Sequence, residues 1–199
     1  KKYVNIMYER VKKIAEAASM MANVDYEMEL ISGIYEILPN RFGAGIIQNN
    51  FELLGEIKYT ESEIDYANTI LKETGKELKG LDGTIKPLRP TLPATGGSTD
   101  VGDVSQVVPV VRLRTTTAAK DGPWHSWAVV ACTGMSIGHK GMIYASKALA
   151  MTMLDLYKNP KLIDGVKKEF LVRKGDRVYV PQIPCLLYTS DAADESVGV

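Results

Sequence analysis

The sequence lacks an excess of charge of either sign, and it lacks a long apolar run. It contains 24 Lys and Arg against 24 Asp and Glu, and the basic residues do not gather into a stripe. Because nucleic-acid binding needs a basic surface, we expect no nucleic-acid partner. No apolar run approaches the roughly 20 residues that span a bilayer, so we expect no membrane partner either.

Cysteine is also scarce, since Cys132 and Cys185 are the only two. Two cysteines do not suggest a disulfide framework, which favours a reducing compartment and predicts a cytoplasmic location. The first four residues, from Lys1 to Val4, contain neither an initiator Met nor a leader. We therefore expect the chain to be the C-terminal portion of a longer protein.

The last residues have an unusual composition. Residues 185–195 read as the in-frame translation of a transposon-type sequencing adaptor. We exclude residues 185–199 from the fold prediction for that reason, and the alternative is a disordered acidic tail.

Apolar periodicity predicts most of the secondary structure. Apolar residues recur at helical spacing over residues 4–22, whereas residues 24–30 alternate between apolar and acidic side chains, as in a half-buried strand. Further helices are predicted near residues 45–54, 62–74, 139–157 and 161–170, further strands at 107–113 and 177–180, and a strand or turn at 126–132. Thr60 and Glu63 have the spacing of a capping box. The sequence therefore predicts a mixture of helices and strands that begins with a small α+β unit, and a long loop over residues 75–97.

The helix predicted over residues 139–157 is apolar nearly all round. Such a helix must be covered on most of its sides. The predicted strands are too few to cover it, which is a second indication of a fragment.

Two histidines are present, and both lie in the C-terminal half. His125 lies between Trp124 and Trp127 in a loop after a predicted strand, where α/β proteins place their sites. Histidine is the commonest metal ligand, so His125 is a candidate ligand; the alternative is a structural loop histidine. His139 begins the apolar helix, where a neutral ring is favoured over a cation; its hydrogen-bonding partner would be a substrate or a residue that itself contacts the site.

A polar loop at residues 96–105 is the third feature. Its two glycines, its hydroxyls, and the carboxylates of Asp100 and Asp103 predict a loop that shapes a metal or substrate site. The equally weighted alternative is that Asp100 or Asp103 caps a short helix. The loop lacks the features of a phosphate loop or a calcium loop. Arg41, Arg112 and Arg114 could clamp a substrate carboxylate, although surface ion pairs are the more common role.

Three motifs taken together resemble one family. They are residues 97–105 (GSTDVGDVS), 124–127 (WHSW) and 139–142 (HKGM). Their order and spacing resemble the aminobenzoyl-glutamate utilisation protein B type of amidohydrolase, in the zinc aminoacylase and carboxypeptidase-like superfamily. Residues 8–11 and 38–41 are similar to its lid-domain helix and exit, and the resemblance covers about residues 1–184.

The resemblance implies a fold and a domain organisation. Residues 1–39 would be the end of an α+β lid that mediates dimerisation. Residues 40–184 would be the C-terminal half of a three-layer α/β/α catalytic domain, and the partner would be a second copy or a related subunit.

The resemblance also implies a chemistry. Two divalent metal ions, zinc or manganese, share a water that attacks an amide carbonyl, and a glutamate acts as general base. His125 matches a metal ligand, Asp100 and Asp103 would line the site, and Asn40, Arg41 and His139 could reach the substrate. The general base and the other ligands belong to the family's N-terminal segment.

The leading hypothesis is therefore hydrolysis of aminobenzoyl-glutamate or a similar N-acyl amino acid by the parent protein, with the fragment inactive. The alternative is a non-catalytic dimerisation or binding module on the same scaffold. A plain α/β binding domain without metal chemistry comes third.

Overall fold

The computed structural model describes residues 2–89 and 99–183, which contain helices and no strand. The helices are α1 (Lys2–Ala22), α2 (Arg41–Leu54), α3 (Glu61–Glu73), α4 (Val101–Val107), α5 (Trp127–Thr133), α6 (Ser136–Lys158) and α7 (Pro160–Lys174). The described chain divides into a smaller compact unit of residues 2–38, 99–109 and 174–183, and a larger one of residues 39–89 and 110–173. None of the described helices has the length and apolar character needed to cross a membrane. The tail at residues 185–199 lies outside the described residues, and the predicted lid and catalytic domains remain predictions.

The helices predicted from apolar periodicity are confirmed. The predictions for residues 4–22, 62–74 and 139–157 correspond to α1, α3 and α6. The capping box is confirmed as well, because the Thr60 side chain accepts from the Glu63 N–H while the Glu63 carboxylate accepts from the Thr60 N–H. This reciprocal pair satisfies two backbone donors at the start of α3. Local signals were therefore sufficient for these helices.

The predicted strands are wrong for the described residues. Residues 24–30 and 177–180 form neither helix nor strand, and residues 107–113 continue from the end of α4 into irregular chain. Alternation shows which residues could share one face, but a strand exists only when a second strand accepts and donates its backbone hydrogen bonds. No such partner lies among the described residues. The α/β prediction is therefore not confirmed, and what the structure supports is a helical arrangement.

Residues 126–132, predicted as a strand or turn, instead form most of α5. Ser126 is the N-cap, and its hydroxyl oxygen accepts from the Ala128 N–H at 3.3 Å and donates to the Pro123 carbonyl at 2.6 Å. Val129 and Val130 favour a strand locally. The cap and the burial of Ala128 and Cys132 outweigh that preference.

Helices α2 and α6 are joined by buried polar contacts. The Asn50 amide donates to the Thr152 hydroxyl at 3.1 Å and to the Asp155 carboxylate at 2.8 Å. Near the end of α2, the Tyr144 ring stacks on Phe51 with 5.4 Å between ring centres. These contacts fix α6 along α2.

The core of the larger unit is small. Its main cluster of buried side chains comes from α3, from α5 and the loop before it, and from the start of α6: Ala67, Ile70, Leu71, Ala119, Ala128, Cys132 and Ile137. As expected from the shortage of covering elements, α6 is only partly covered within the described residues, where α2 and α5 contact part of its surface. Its exposed large apolar side chains are Met142, Ile143, Leu149, Met153, Leu154 and Tyr157.

Candidate functional site

His125 is exposed in the loop that leads into α5. Its φ angle is 56°, in the left-handed region that non-glycine residues seldom occupy, and Asp121 in the same loop has a φ of 58°. Left-handed residues tend to occur at functional sites, where the surrounding structure holds them in place. Here the Asp121 carboxylate accepts from Lys79 at 3.0 Å, and the Gly122 N–H donates to the Ala119 carbonyl at 3.2 Å. The loop is therefore anchored immediately before His125.

The surroundings of His125 are aromatic and apolar. Trp124 is 69% exposed and Trp127 is 54% exposed. Trp124 also lines a shallow depression, together with Pro123, Ala118 and Ala119 among other apolar residues. The loop and the first residue of α5 therefore expose an imidazole and two indole rings, and the Trp124 ring borders an apolar depression.

A complete metal centre is not present in the described residues. Residues 2–89 and 99–183 contain no group of three or more His, Cys, Asp or Glu side chains able to hold a metal ion. Three or four protein ligands are usual for zinc. His125 therefore offers at most one ligand of such a site within the described chain, and its metal role stays a prediction.

His139 lies in the first turn of α6 and is exposed. Its backbone N–H donates to the Met135 carbonyl at 3.1 Å, and its side chain makes no hydrogen bond to any described residue. The next residue, Lys140, is engaged instead: its ammonium donates to the Glu63 carboxylate at 2.6 Å and to the Lys58 carbonyl at 2.9 Å, and it lies 5.6 Å from the centre of the Tyr59 ring. Lys140 thus fixes the turn that presents His139.

Glu63 is the centre of this network. Its side chain is only 8% exposed, and its carboxylate also accepts from the Ser136 hydroxyl at 2.6 Å and from the Thr60 N–H at 2.7 Å. Burial alone would raise the pKa of this carboxyl, but the hydrogen bonds from Lys140, Ser136 and Thr60 outweigh burial and lower the pKa to about 2. Glu63 therefore stays ionised and joins the start of α3 to the start of α6.

Gly141, in the same motif, allows a loop to approach α6 closely. A Cβ atom at this position would overlap the Thr116 carbonyl oxygen. The Thr115 hydroxyl donates to the Gly141 carbonyl at 3.3 Å. In the HKGM motif, Lys140 and Gly141 thus have structural contacts, whereas His139 stays available to a ligand.

Asn40 and Arg41, predicted to reach the substrate, lie at the start of α2. Asn40 is buried and is the N-cap of that helix: its amide oxygen accepts from the Gly43 N–H at 2.8 Å, and its amide nitrogen donates to the Val166 carbonyl at 2.8 Å. The Arg41 guanidinium donates to the Arg89 carbonyl at 2.5 Å. Both ends of the Asn40 amide are therefore already used within the protein.

Asp100 and Asp103 belong to the smaller unit, and their contacts differ. Asp100 occupies the N-cap position of α4, but its side chain makes no capping hydrogen bond. Asp103 accepts from the Tyr35 N–H and from the Tyr179 hydroxyl, each at 3.0 Å. The Asp103 carboxylate therefore binds two other segments of its own unit, a role that neither prediction described.

The residues around Asp103 serve the same attachment. Gly102 lets α4 approach the chain so closely that a Cβ atom would overlap the Tyr35 carbonyl oxygen. The Leu38 N–H donates to the Ser105 hydroxyl at 2.8 Å, and the Gln106 amide donates to the Glu36 carbonyl at 2.8 Å. Side chains of α4 thus satisfy backbone groups that a neighbouring strand would otherwise satisfy. Within the GSTDVGDVS motif, Gly102, Asp103 and Ser105 thus have structural contacts; Gly97 and Ser98 lie outside the described residues.

Arg112 and Arg114 are both exposed. Neither makes a hydrogen bond or an ion pair to a described residue, so the predicted carboxylate clamp stays a prediction. Within the larger unit, the described structure shows no hydrogen bond from His125 to Asn40, Arg41 or His139. The predicted site residues of this unit are therefore not brought together by direct contacts.

Sequence reasoning missed the partners of Glu63 and Asp103. Glu63 could be recognised as a capping-box residue without a cation nearby in the sequence, and Asp103 as an Asp that follows a glycine. Neither pattern indicates a partner that lies 77 residues away, as for Glu63, or 68 residues away, as for Asp103. Only the fold brings these pairs together.

Comparison with known proteins gives two relatives. The chain is similar to a subunit of the p-aminobenzoyl-glutamate hydrolase of Escherichia coli (strain K12), with 28% identity over 191 residues, covering 83% of this chain and 40% of that protein. It is also similar to the Xaa-Arg dipeptidase of Mus musculus, with 37% identity over 119 residues, covering 55% of this chain and 27% of that protein. No family model matches, and no solved structure matches. The chain thus spans less than half the length of these relatives, one named as a hydrolase and the other as a dipeptidase.

Proposed function

We propose that the protein containing this chain hydrolyses an amide bond and that His125 belongs to its active site. The observation that carries the proposal is the exposed His125 imidazole, held in a left-handed turn between two tryptophans. The names of the two relatives support hydrolysis of amide or peptide bonds. An exposed imidazole in an anchored loop is suited to hold a metal or move a proton.

For the substrate, we propose aminobenzoyl-glutamate or a similar N-acyl amino acid. The support is the name of the bacterial relative, and the mouse relative is named for a substrate that also carries an amide bond to an amino acid. His139, on the turn fixed by Glu63 and Lys140, is the described residue best placed to hydrogen-bond such a ligand.

For the cofactor, we propose two divalent metal ions, zinc or manganese, with His125 as one ligand. The described residues do not form such a site by themselves, because they contain no group of three suitable side chains. The remaining ligands and the general base would come from other residues of the whole protein. When bound, the metal would acidify a water molecule.

The alternative is a non-catalytic binding or dimerisation module, and one observation favours it. The bacterial relative is named as one subunit of its hydrolase, which fits a chain that acts together with another. The partner in either case would be a second copy or a related subunit.

The test uses the complete product of the gene that contains this sequence. It is purified with zinc or manganese, cleavage of p-aminobenzoyl-glutamate is followed by release of p-aminobenzoate, and bound metal is measured by elemental analysis. His125→Asn keeps a residue type that tolerates a positive φ and removes the imidazole. We expect cleavage to fall by at least about 100-fold and bound metal to decrease.

Glu61→Gln, at an exposed position of α3, is the matched control and should leave cleavage unchanged. If cleavage is unchanged in His125→Asn, His125 does not belong to the active site. A wild-type protein that binds p-aminobenzoyl-glutamate without cleaving it would instead support the binding module.

A further inference from the structure

Two exposed tryptophans flank His125, and their exposure is unusual. An indole ring is among the largest apolar groups in proteins, and it is normally buried to a high degree. Trp124 is 69% exposed and Trp127 is 54% exposed. Tryptophan is enriched among the residues that contribute most of the binding energy at interfaces.

The loop holds Trp124 in a defined place. Before it, the Gly122 N–H donates to the Ala119 carbonyl at 3.2 Å, and after it, the Ser126 hydroxyl donates to the Pro123 carbonyl at 2.6 Å. The positive φ of His125 fixes the direction in which the chain leaves the turn. A ring presented by an anchored backbone loses little conformational freedom when it binds a ligand.

The side chains that line the depression at Trp124 are apolar. They include Ile70, Ala118, Ala119 and Pro123, and no charged or amide side chain lines it. A carboxylate bound there would lose its hydration without gaining a partner. A flat aromatic group could instead stack on the exposed indole ring, with one edge against the apolar side chains beside it.

We propose that Trp124 and this depression form a subsite for the acyl group of the substrate, and that Trp124 sets a preference for aromatic over small aliphatic acyl groups. The inference rests on the proposed function, because it places an N-acyl amino acid beside His125. Trp127, the first residue of α5, does not line the depression and makes no part of the subsite.

The two tryptophans also provide a matched pair of variants, since the chain contains no others. The heat of binding is recorded by titration calorimetry on the chain as it stands while N-benzoyl-glutamate or N-acetyl-glutamate is added, so that the readout does not depend on the residue that is replaced. The two ligands share the amino acid and differ in the acyl group. Trp124→Leu keeps an apolar side chain and removes the ring, and Trp127→Leu is the matched control. Circular dichroism establishes that each variant is folded.

We expect N-benzoyl-glutamate to bind saturably and about tenfold more tightly than N-acetyl-glutamate. Trp124→Leu should abolish this difference, whereas Trp127→Leu should retain it. Equal binding of both ligands by the wild-type chain, or no binding of either, would overturn the subsite. So would a preference that survives Trp124→Leu.

This binding experiment is separate from the hydrolysis assay. If the chain prefers the benzoyl ligand but the complete protein does not cleave its substrate, the subsite is supported and the proposed hydrolysis is contradicted. If the complete protein cleaves its substrate but the chain shows no benzoyl preference, only the subsite is contradicted.

Discussion

Glu63 and Lys140 form an ion pair with 2.6 Å between Oε2 and Nζ, although 77 residues separate them in the sequence. Glu63 is buried by the same packing that brings the start of α6 against the start of α3. The pair therefore ties the local capping of one helix to the position of another, and its removal should affect both.

The first prediction concerns the charge of Glu63. Glu63→Gln keeps the size of the side chain but leaves the Lys140 ammonium, which is 35% exposed, without its carboxylate. We expect the free energy of unfolding to fall by about 2 kcal/mol at neutral pH, less than for a fully buried pair because Lys140 reaches solvent. Urea denaturation followed by circular dichroism measures the change. Glu61→Gln, exposed in the same helical turn, should change stability by less than about 0.5 kcal/mol.

The second prediction is a dependence on pH. The pKa of Glu63 is lowered from 4.5 to about 2 in the folded state, so its contribution to stability is complete above pH 4.5 and is lost as the pH falls towards 2. Asp82 and Glu169 also have lowered pKa values and contribute in the same direction. The difference in stability between the wild type and Glu63→Gln isolates the share of Glu63. That difference should shrink between pH 5 and pH 3, and a constant difference over this range would contradict the lowered pKa.

The third prediction concerns the contact between α2 and α6. Asn50→Ala removes the donor to Thr152 and Asp155 and leaves the Asp155 carboxylate with one hydrogen bond fewer in a partly buried place. We expect a loss of about 2 kcal/mol in the free energy of unfolding. Asn49→Ala is the matched control, because Asn49 is its exposed neighbour in the same helix. Equal effects of the two substitutions would show that the buried contact contributes nothing.

The fourth prediction tests the close approach at Gly102. Gly102→Ala would force a methyl group onto the Tyr35 carbonyl and should displace α4 from residues 33–38. Overpacking of this kind costs about 2 kcal/mol, which corresponds to roughly 30-fold faster hydrogen exchange at the Tyr35 and Leu38 amides. Those two amides are bonded to Asp103 and Ser105, so their exchange reports this contact directly.

A second glycine provides the contrast. A Cβ atom at Gly45, inside α2, would meet nothing within 4 Å. Gly45→Ala should therefore stabilise the helix by about 0.5 to 1 kcal/mol and leave the exchange of the Tyr35 amide unchanged. Faster exchange at Tyr35 in this variant would mean that the effect of Gly102→Ala is not local.

The sequence was sufficient wherever the cause of the structure is local. The capping box of Thr60 and Glu63 spans three residues, and the apolar periodicity of α1 and α6 is visible within a few turns. Strands were the main error, because the alternation of residues 24–30 does not show whether a partner strand exists. The valines of α5 likewise favour a strand by residue type, but the Ser126 cap and the burial of Ala128 stabilise a helix there.

The candidate site could be predicted only in part. His125 was identified from residue type and from its flanking tryptophans, and the structure adds its left-handed backbone and the apolar depression beside it. The use of Asn40 as a buried cap and of Asp103 as a link between segments depends on Val166, Tyr35 and Tyr179. Such distant partners are set by the folded chain and not by nearby residues.

The hydrogen bonds of helix α2 have a consequence for folding. Asn40 donates to Val166, 126 residues later, and Asn50 donates to Asp155, 105 residues later. Because contacts between residues so far apart in sequence form slowly, α2 should reach its final position late in folding. During synthesis, this helix would leave the ribosome well before its partners exist, and over that interval it would be open to proteases and to chaperones.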